Sequence, residues 1–238
     1  YAYVDNDGTN KSAVYKWSGL WTNANGHYNG VFEKVRTGNT QARNDLIENV
    51  KIYDALNRSS IANIEAGSAR ASVGTIMTGN NAGSVVFQQF FNTLNDFADV
   101  MDAFAKSSTY SSIMGTGLTV TMRNIAKFCD VPFDAPANPQ RKYVILTRGK
   151  SHISQPELMD LMAEASPMFS ETGAQTFRFA RIMTGNNAGD FLLGVTYPSM
   201  SEIEATYDAI ASNPVAAKIY NALDVNLRTI IKVQSTAV

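Results

Sequence analysis

An eight-residue motif that occurs twice constrains the fold of this chain more than any other feature. Residues 76–83 and residues 182–189 both read Ile-Met-Thr-Gly-Asn-Asn-Ala-Gly, at an offset of 106 residues. Further matches follow at that offset and then, after one deletion, at an offset of 105 residues that pairs Arg123 with Arg228. Self-similarity of this kind indicates an internal duplication. We therefore predict two copies of one folding unit.

The second copy shows the order of its elements most clearly. A β-branched run over 142–148 predicts a strand, and Ser154 with Glu157 has the spacing of a helix capping box. Later elements are an alternating strand over 176–183, a hairpin over 185–189, a strand over 190–197, a helix capped by Ser201 and Glu204, and a strand over 225–233. The order is β-α-β-β-α-β, and the first copy follows it with looser spacing.

The duplication also predicts the domain boundaries. Three of the seven prolines fall between the copies, where they disfavour both a helix and a central strand. The predicted parts are an N-terminal extension (1–27), repeat 1 (28–128), a proline-rich linker (129–141) and repeat 2 (142–238).

A β-α-β-β-α-β unit places two helices on one face of a four-stranded antiparallel sheet, which is the ferredoxin-like arrangement. We predict an α+β fold in which two fused ferredoxin-like repeats form a pseudo-dimeric α+β barrel. This plan, with the Gly-Asn-Asn-Ala-Gly hairpin and the Tyr-Pro-Ser-Met helix start at 197–200, resembles the dimeric α+β barrel superfamily of antibiotic-biosynthesis monooxygenases, EthD-like and NIPSNAP-like proteins.

The resemblance implies a small-molecule-binding barrel, and a cofactor-independent monooxygenase or isomerase acting on a small aromatic or carboxylated compound. Haem-degrading members use a histidine on the second helix, but residues 94–106 and 201–212 contain none, so we expect no cofactor. The alternative is a non-catalytic protein that uses the duplicated unit as a brick and residues 1–27 as a contact arm in a homo-oligomer.

Composition excludes several classes of protein. The net charge of −1, with 45% hydrophobic residues, argues against intrinsic disorder and against a nucleic-acid partner. No apolar run is long enough for a membrane span. One cysteine and two histidines argue against a disulfide framework and a metal centre. The start at Tyr1, the 21 asparagines and the lack of a disulfide favour a secreted or periplasmic protein.

Cations on the last strands are the first candidate ligand site. Strand alternation predicts that Val225, Leu227 and Ile231 face the helices and that Arg228 and Lys232 face away. The predicted anion-binding residues, with one more from the neighbouring strand, are Arg123, Lys127, Arg178, Arg228 and Lys232. Alternatively, these side chains are exposed at strand ends or paired with acidic residues.

The repeated hairpin is the second candidate. Glycine amides can bind an anion, but Gly and Asn also suit a tight turn, which explains the same residue types. The motif residues are Thr78, Gly79, Asn80, Asn81, Gly83, Thr184, Gly185, Asn186, Asn187 and Gly189. His27 and His152 are candidate general bases, and Asp5 with Asp7 resembles a calcium loop that lacks its distant glutamate.

Overall fold

The structure is a computed structural model, and it describes residues 2–6, 13–17, 55–56, 58–114 and 123–237. The chain divides into two compact units. The first unit comprises Tyr1–Gly74, Val85–Thr119 and Gln234–Val238, and the second comprises Thr75–Ser84 and Val120–Val233. The hairpin of repeat 1 therefore belongs to the second unit.

Repeat 2 forms most of the second unit and has the predicted element order. Its elements are strand β6 (Tyr143–Ser151), helix α3 (Gln155–Glu171), strands β7 (Thr176–Ile182) and β8 (Phe191–Tyr197), helices α4 (Met200–Ser212) and α5 (Pro214–Ala222), and strand β9 (Leu223–Ala237). The sheet order is β9-β6-β8-β7, followed by β5 (Ala126–Cys129) from the end of repeat 1. All these pairs are antiparallel. The predicted fold class is confirmed.

Local capping residues set the helix starts. Ser154 and Glu157 form the predicted capping box of α3. The second predicted box is wrong, because α4 is capped by Ser199, whose side chain accepts from the Ser201 amide, and the helix begins two residues earlier. Asn213 caps α5, and Pro214 occupies its first turn, where no amide donor is needed.

The core of the second unit lies between this sheet and its helices. Leu158 and Met162 of α3 and Phe179 of β7 are almost completely buried. Phe179 stacks on Phe191 with 5.2 Å between ring centroids. Phe133, from the predicted linker, stacks on Phe177 at 5.9 Å. The segment after β5 therefore packs onto repeat 2; the domain boundaries themselves stay predictions.

A β-bulge in β9 corrects the predicted faces of that strand. Arg148 pairs with Leu227 but Gly149 pairs with Val225, so Asn226 is the extra residue. One extra residue reverses the alternation that follows it. As a result Arg228 lies opposite Thr147, and Lys232 opposite Tyr143. Thr147 lines the helix side of the sheet, so the prediction that Arg228 and Lys232 face away from the helices is wrong.

The first unit contains the described elements of the extension and most of those of repeat 1. They are strands β1 (Ala2–Asn6), β2 (Ala13–Trp17), β3 (Arg70–Ile76) and β4 (Val85–Phe90), and helices α1 (Leu94–Ala105) and α2 (Ser108–Met114). Residues 55–56 and 58–65, before β3, are also helical. Strands β1 and β2 pair antiparallel within the predicted contact arm. The sequence also predicts a strand over 31–36 and a helix over 40–56 in repeat 1; all of that strand and residues 40–54 of that helix lie outside the described residues. In the described ranges, no helix has the length and apolarity needed to cross a membrane.

Candidate functional site

A cavity of about 70 Å³ lies inside repeat 2, on the helix side of the sheet. It is bounded by α3, α4 and α5 and by strands β6 to β9. The lining is mostly apolar, with the side chains of Met162, Met168, Phe169 and Phe179 among those that form it. An apolar cavity of about 150 Å³ admits benzene. The cavity therefore holds only a group of a few heavy atoms, and a larger ligand must extend through the mouth.

Tyr197 supplies the one deeply buried hydroxyl of this lining that lacks a partner. Its side chain is 0% exposed, and its hydroxyl makes no hydrogen bond within the described part of the chain. The effect of burial on the pKa of Tyr197 is opposed by the nearby Thr206 hydroxyl as a hydrogen-bonding neighbour, but the geometry of the pair falls short of a hydrogen bond. The Thr206 hydroxyl instead donates to the Glu202 carbonyl (2.9 Å) and lies 2.8 Å from the Thr172 hydroxyl. Burial raises the pKa of Tyr197, so the phenol stays protonated and can act as a donor.

A cluster of polar groups forms the mouth of the cavity. The guanidinium of Arg228 donates to the Tyr220 hydroxyl (3.0 Å) and to the Thr147 hydroxyl (3.4 Å). Tyr207 also lies beside it; burial raises the pKa of Tyr207, and the charge of Arg228 opposes that effect. Among the described residues, Arg228 has no acidic partner. Its charge is therefore oriented by hydroxyls but not neutralised.

The mouth and Tyr197 mark two ends of the site. Tyr197 pairs with Tyr143 across β6 and β8, whereas Arg228 pairs with Thr147 across β6 and β9. Four residues of β6 separate these positions, or about 13 Å at about 3.3 Å per residue. The site therefore has a hydrogen-bond donor at one end, a cation at the other end and a mostly apolar lining between them.

The other predicted cations do not converge on this site. Arg178 lies on the opposite face of the sheet, where its guanidinium is 5.4 Å from the Phe128 ring. Burial lowers the pKa of Arg178, with Arg141 adding to the effect. Lys127 pairs with Arg181 at the edge strand β5, and Arg123 is exposed before that strand. The five cations therefore do not share one face of the sheet, and their ligand role stays a prediction.

The remaining predicted residues lie outside the cavity. His152 is exposed and its Nε2 is 3.0 Å from the Asp224 carboxylate. His27 and Asp7 lie outside the described residues, and Asp5 lies in β1. Within the described ranges, no three His, Cys, Asp or Glu side chains are grouped to hold a metal. Both repeated hairpins form turns in which the amide of the last glycine, Gly83 or Gly189, donates back to the preceding strand.

Sequence reasoning missed most of the cavity's polar residues. Tyr197 entered only as part of a helix start, and Thr147, Tyr207 and Tyr220 were not singled out. Their positions on amphipathic elements are typical of ordinary packing. The available signal was the difference between the two copies, since the aligned positions of repeat 1 can be read directly from the sequence.

Haem, a cofactor of some α+β barrels, does not fit this cavity. The lining contains neither histidine nor cysteine, and its methionine and tyrosine side chains could ligate iron only if the macrocycle fitted beside them. The macrocycle also far exceeds a space of about 70 Å³. No step of the site's chemistry is therefore assigned to haem.

The fold and this cavity define an α+β protein made of two ferredoxin-like repeats. Among the described residues, the cavity lies in repeat 2. The chain belongs to the family described as "Domain of unknown function (DUF6854)", whose profile matches residues 38–128 and 141–233. The double match agrees with the duplication. A search of curated proteins found no match.

Solved structures with a similar fold share little sequence with the chain. An anthrone oxidase-like protein is 12% identical, with a TM-score of 0.51 and coverage of 79% of this chain and 86% of that one. A candidate monooxygenase from Lactobacillus acidophilus is 11% identical, with a TM-score of 0.46 and coverage of 80% and 90%. A heme-binding protein from Thermus thermophilus is 14% identical, with a TM-score of 0.48 and coverage of 82% and 83%. At such identities the likeness concerns the fold alone.

Proposed function

We propose that repeat 2 binds a small, mostly apolar organic molecule that carries a hydrogen-bond acceptor. The ligand enters the cavity between α3, α4, α5 and the sheet, and its acceptor accepts a hydrogen bond from the Tyr197 hydroxyl. The single observation that carries this proposal is that hydroxyl: it is buried and makes no hydrogen bond in the described chain, and its residue lines the cavity.

An unpaired buried hydroxyl is costly, which is why a ligand explains it better than packing does. Buried polar groups in folded proteins nearly always have a partner, and leaving one without a partner costs about 1–3 kcal/mol. A phenylalanine would fill the same volume without that cost. A carbonyl oxygen of a ligand would give this donor a partner.

The test compares two ligands of nearly equal shape. NMR titrations would measure the dissociation constants of cyclopentanone and methylenecyclopentane, which differ in the carbonyl oxygen. We expect the native protein to prefer the ketone by about tenfold, the value of one neutral hydrogen bond formed by an otherwise unpaired donor. Tyr197→Phe should remove that preference and leave binding of the hydrocarbon unchanged.

Tyr143→Phe is the matched control. Tyr143 lies opposite Tyr197 in the sheet but does not line the cavity, so this variant should keep the native preference for the ketone. Equal binding of the two compounds by the native protein, or an unchanged preference in Tyr197→Phe, would contradict the role of Tyr197. Shifts outside the residues that line the cavity would contradict the site.

Cofactor-independent oxygenation or isomerisation is a second candidate function, favoured by Arg228 and its hydroxyl neighbours. These groups can stabilise the oxyanion of an enolised substrate. A carbanion of that kind reacts directly with dioxygen, forming a C–O bond and, after protonation by solvent, a hydroperoxide. The similar fold of an anthrone oxidase-like protein is consistent with this chemistry.

Acetylacetone is small enough and acidic enough at carbon to test both reactions. Oxygen uptake that depends on Arg228 would indicate an oxygenase, and deuterium exchange at carbon without oxygen uptake would indicate an isomerase. We expect at least one of these rates to exceed that of buffer and to fall in Arg228→Met. Rates equal to those of buffer would leave binding as the function and exclude this second candidate for β-diketones.

A further inference from the structure

The two repeats differ at the positions that make the cavity polar. At the offset of 106 residues defined by the shared hairpin, every hydroxyl of α4, α5 and the end of β8 that lines the cavity is replaced by an apolar side chain in repeat 1. The pairs are Tyr197 and Phe91, Thr206 and Val100, Tyr207 and Met101, and Tyr220 and Met114.

The structure supports this alignment outside the hairpin. Ser199 caps α4 and Thr93 caps α1, and these two residues are separated by the same offset. Val100 is 1% exposed, as is Thr206. The Phe91 ring packs edge-on against Phe97 at 5.3 Å. Repeat 1 therefore uses apolar contacts at aligned positions where repeat 2 presents hydroxyls.

One charged group is common to both repeats. Arg123 and Arg228 align at the offset of 105 residues, but only Arg228 has tyrosine hydroxyls at the aligned helix positions. In the structure Arg228 reaches the Tyr220 hydroxyl and lies beside Tyr207 at the cavity mouth. A guanidinium whose neighbours are neutral donors suits a planar carboxylate, which can accept from the fork of the arginine and from a phenol together.

We propose that repeat 2 carries a monoanion subsite formed by Arg228, Tyr207 and Tyr220, and that the chain binds one small carboxylate, with its apolar end in the cavity. This inference rests on the proposed function of the same cavity and adds the charge of the ligand and its stoichiometry. A ligand long enough to reach both ends has its carboxylate at the mouth and a neutral acceptor at Tyr197, whereas a short carboxylate occupies the mouth alone. Repeat 1 lacks the subsite because its aligned helix residues are methionines.

The experiment uses isobutyrate and its primary amide, isobutyramide, with the full chain. Calorimetric or NMR titration of the native protein should give one site per chain and a preference of at least tenfold for the carboxylate. Rising salt should weaken isobutyrate binding and leave isobutyramide binding unchanged. Arg228→Met should bind the two compounds equally.

Two further variants make the result specific. Tyr207→Met with Tyr220→Met installs the residues of repeat 1, and it should reduce the preference for isobutyrate severalfold. Both tyrosines are more than a third exposed, so the fold should tolerate the change. Arg181→Met removes an equal charge from an exposed position of β7 outside the cavity and should keep the native preference.

The outcomes separate this inference from the proposed function. Equal affinity of the native protein for acid and amide, or two carboxylates per chain, would overturn the subsite and leave the cavity as a binding site for neutral molecules. An equal loss in Arg181→Met and Arg228→Met would also overturn it, because a general charge effect would then suffice. Binding of neither compound, nor of cyclopentanone, would overturn both.

Discussion

The two copies of the repeated hairpin, 76–83 and 182–189, have the same sequence and make the same backbone contacts. The amides of Met77 and Met183 each donate at 2.7 Å to the carbonyl of an isoleucine, Ile230 within β9 and Ile125 directly before β5. The threonine that follows accepts from the amide of the same isoleucine: Thr78 from Ile230 at 2.9 Å and Thr184 from Ile125 at 3.0 Å.

This equivalence explains why the threonine stands in both copies. Turn geometry accounts for the glycines and asparagines. The threonine hydroxyl has a different role, because it accepts a hydrogen bond from the isoleucine amide in place of a backbone carbonyl. The hairpins are therefore alike because each continues a sheet. The cavity positions differ because packing tolerates either hydroxyls or apolar groups there. Under the proposed function, the positions that diverge are the ones that contact the ligand.

The two hairpins differ in the atoms that surround their first glycine. This difference gives the largest expected effect on the free energy of unfolding. Gly185 and Gly79 both have positive φ, at 86° and 82°. A Cβ on Gly185 would overlap the Asn124 amide and lie 3.0 Å from the Arg123 carbonyl, whereas a Cβ on Gly79 would have no neighbour closer than 3.9 Å. Gly185→Ala should thus lower the free energy of unfolding by about 3 kcal/mol and Gly79→Ala by about 1–2 kcal/mol.

The excess for Gly185 has a specific cause. The Asn124 amide, oriented to donate to the Thr184 and Arg123 carbonyls at 3.1 Å each, would have to move. Urea unfolding of both variants measures the difference. Gly189→Ala serves as control, since Gly189 has a φ of 95° with no atom within 4 Å of an added Cβ. Equal losses at Gly185 and Gly79 would mean that backbone strain alone acts in both hairpins.

The repeat made the fold of repeat 2 predictable, and two local features limited the prediction. Hydrophobic alternation assigns the faces of a strand only while its pairing is regular, and the extra residue Asn226 reversed the faces of Arg228 and Lys232. The glycine at position 149 is the sequence signal of this bulge, because a Cβ there would lie 2.8 Å from the Asp224 carbonyl. Tyr197 was not predictable from one copy, since periodicity shows burial but not whether a hydroxyl finds a partner.

A smaller effect tests the contrast between Tyr197 and its aligned residue, Phe91. Tyr197→Phe installs the side chain that repeat 1 has at this position and removes an unpaired buried hydroxyl. The free energy of unfolding of the ligand-free protein should rise by about 1 kcal/mol. Tyr220→Phe, which removes a partly exposed hydroxyl bonded to Arg228, should change it by less than about 0.5 kcal/mol and not upward. Urea unfolding measures both.

The sign of the change in the free energy of unfolding of Tyr197→Phe shows whether the hydroxyl has a partner in the ligand-free protein. A loss of stability would show that the hydroxyl already has a partner in the ligand-free protein, and the argument for a ligand at this position would fail. A gain in stability accompanied by weaker binding of cyclopentanone would mean that the hydroxyl is kept for the ligand at a cost to the fold, which is the pattern expected of a binding residue.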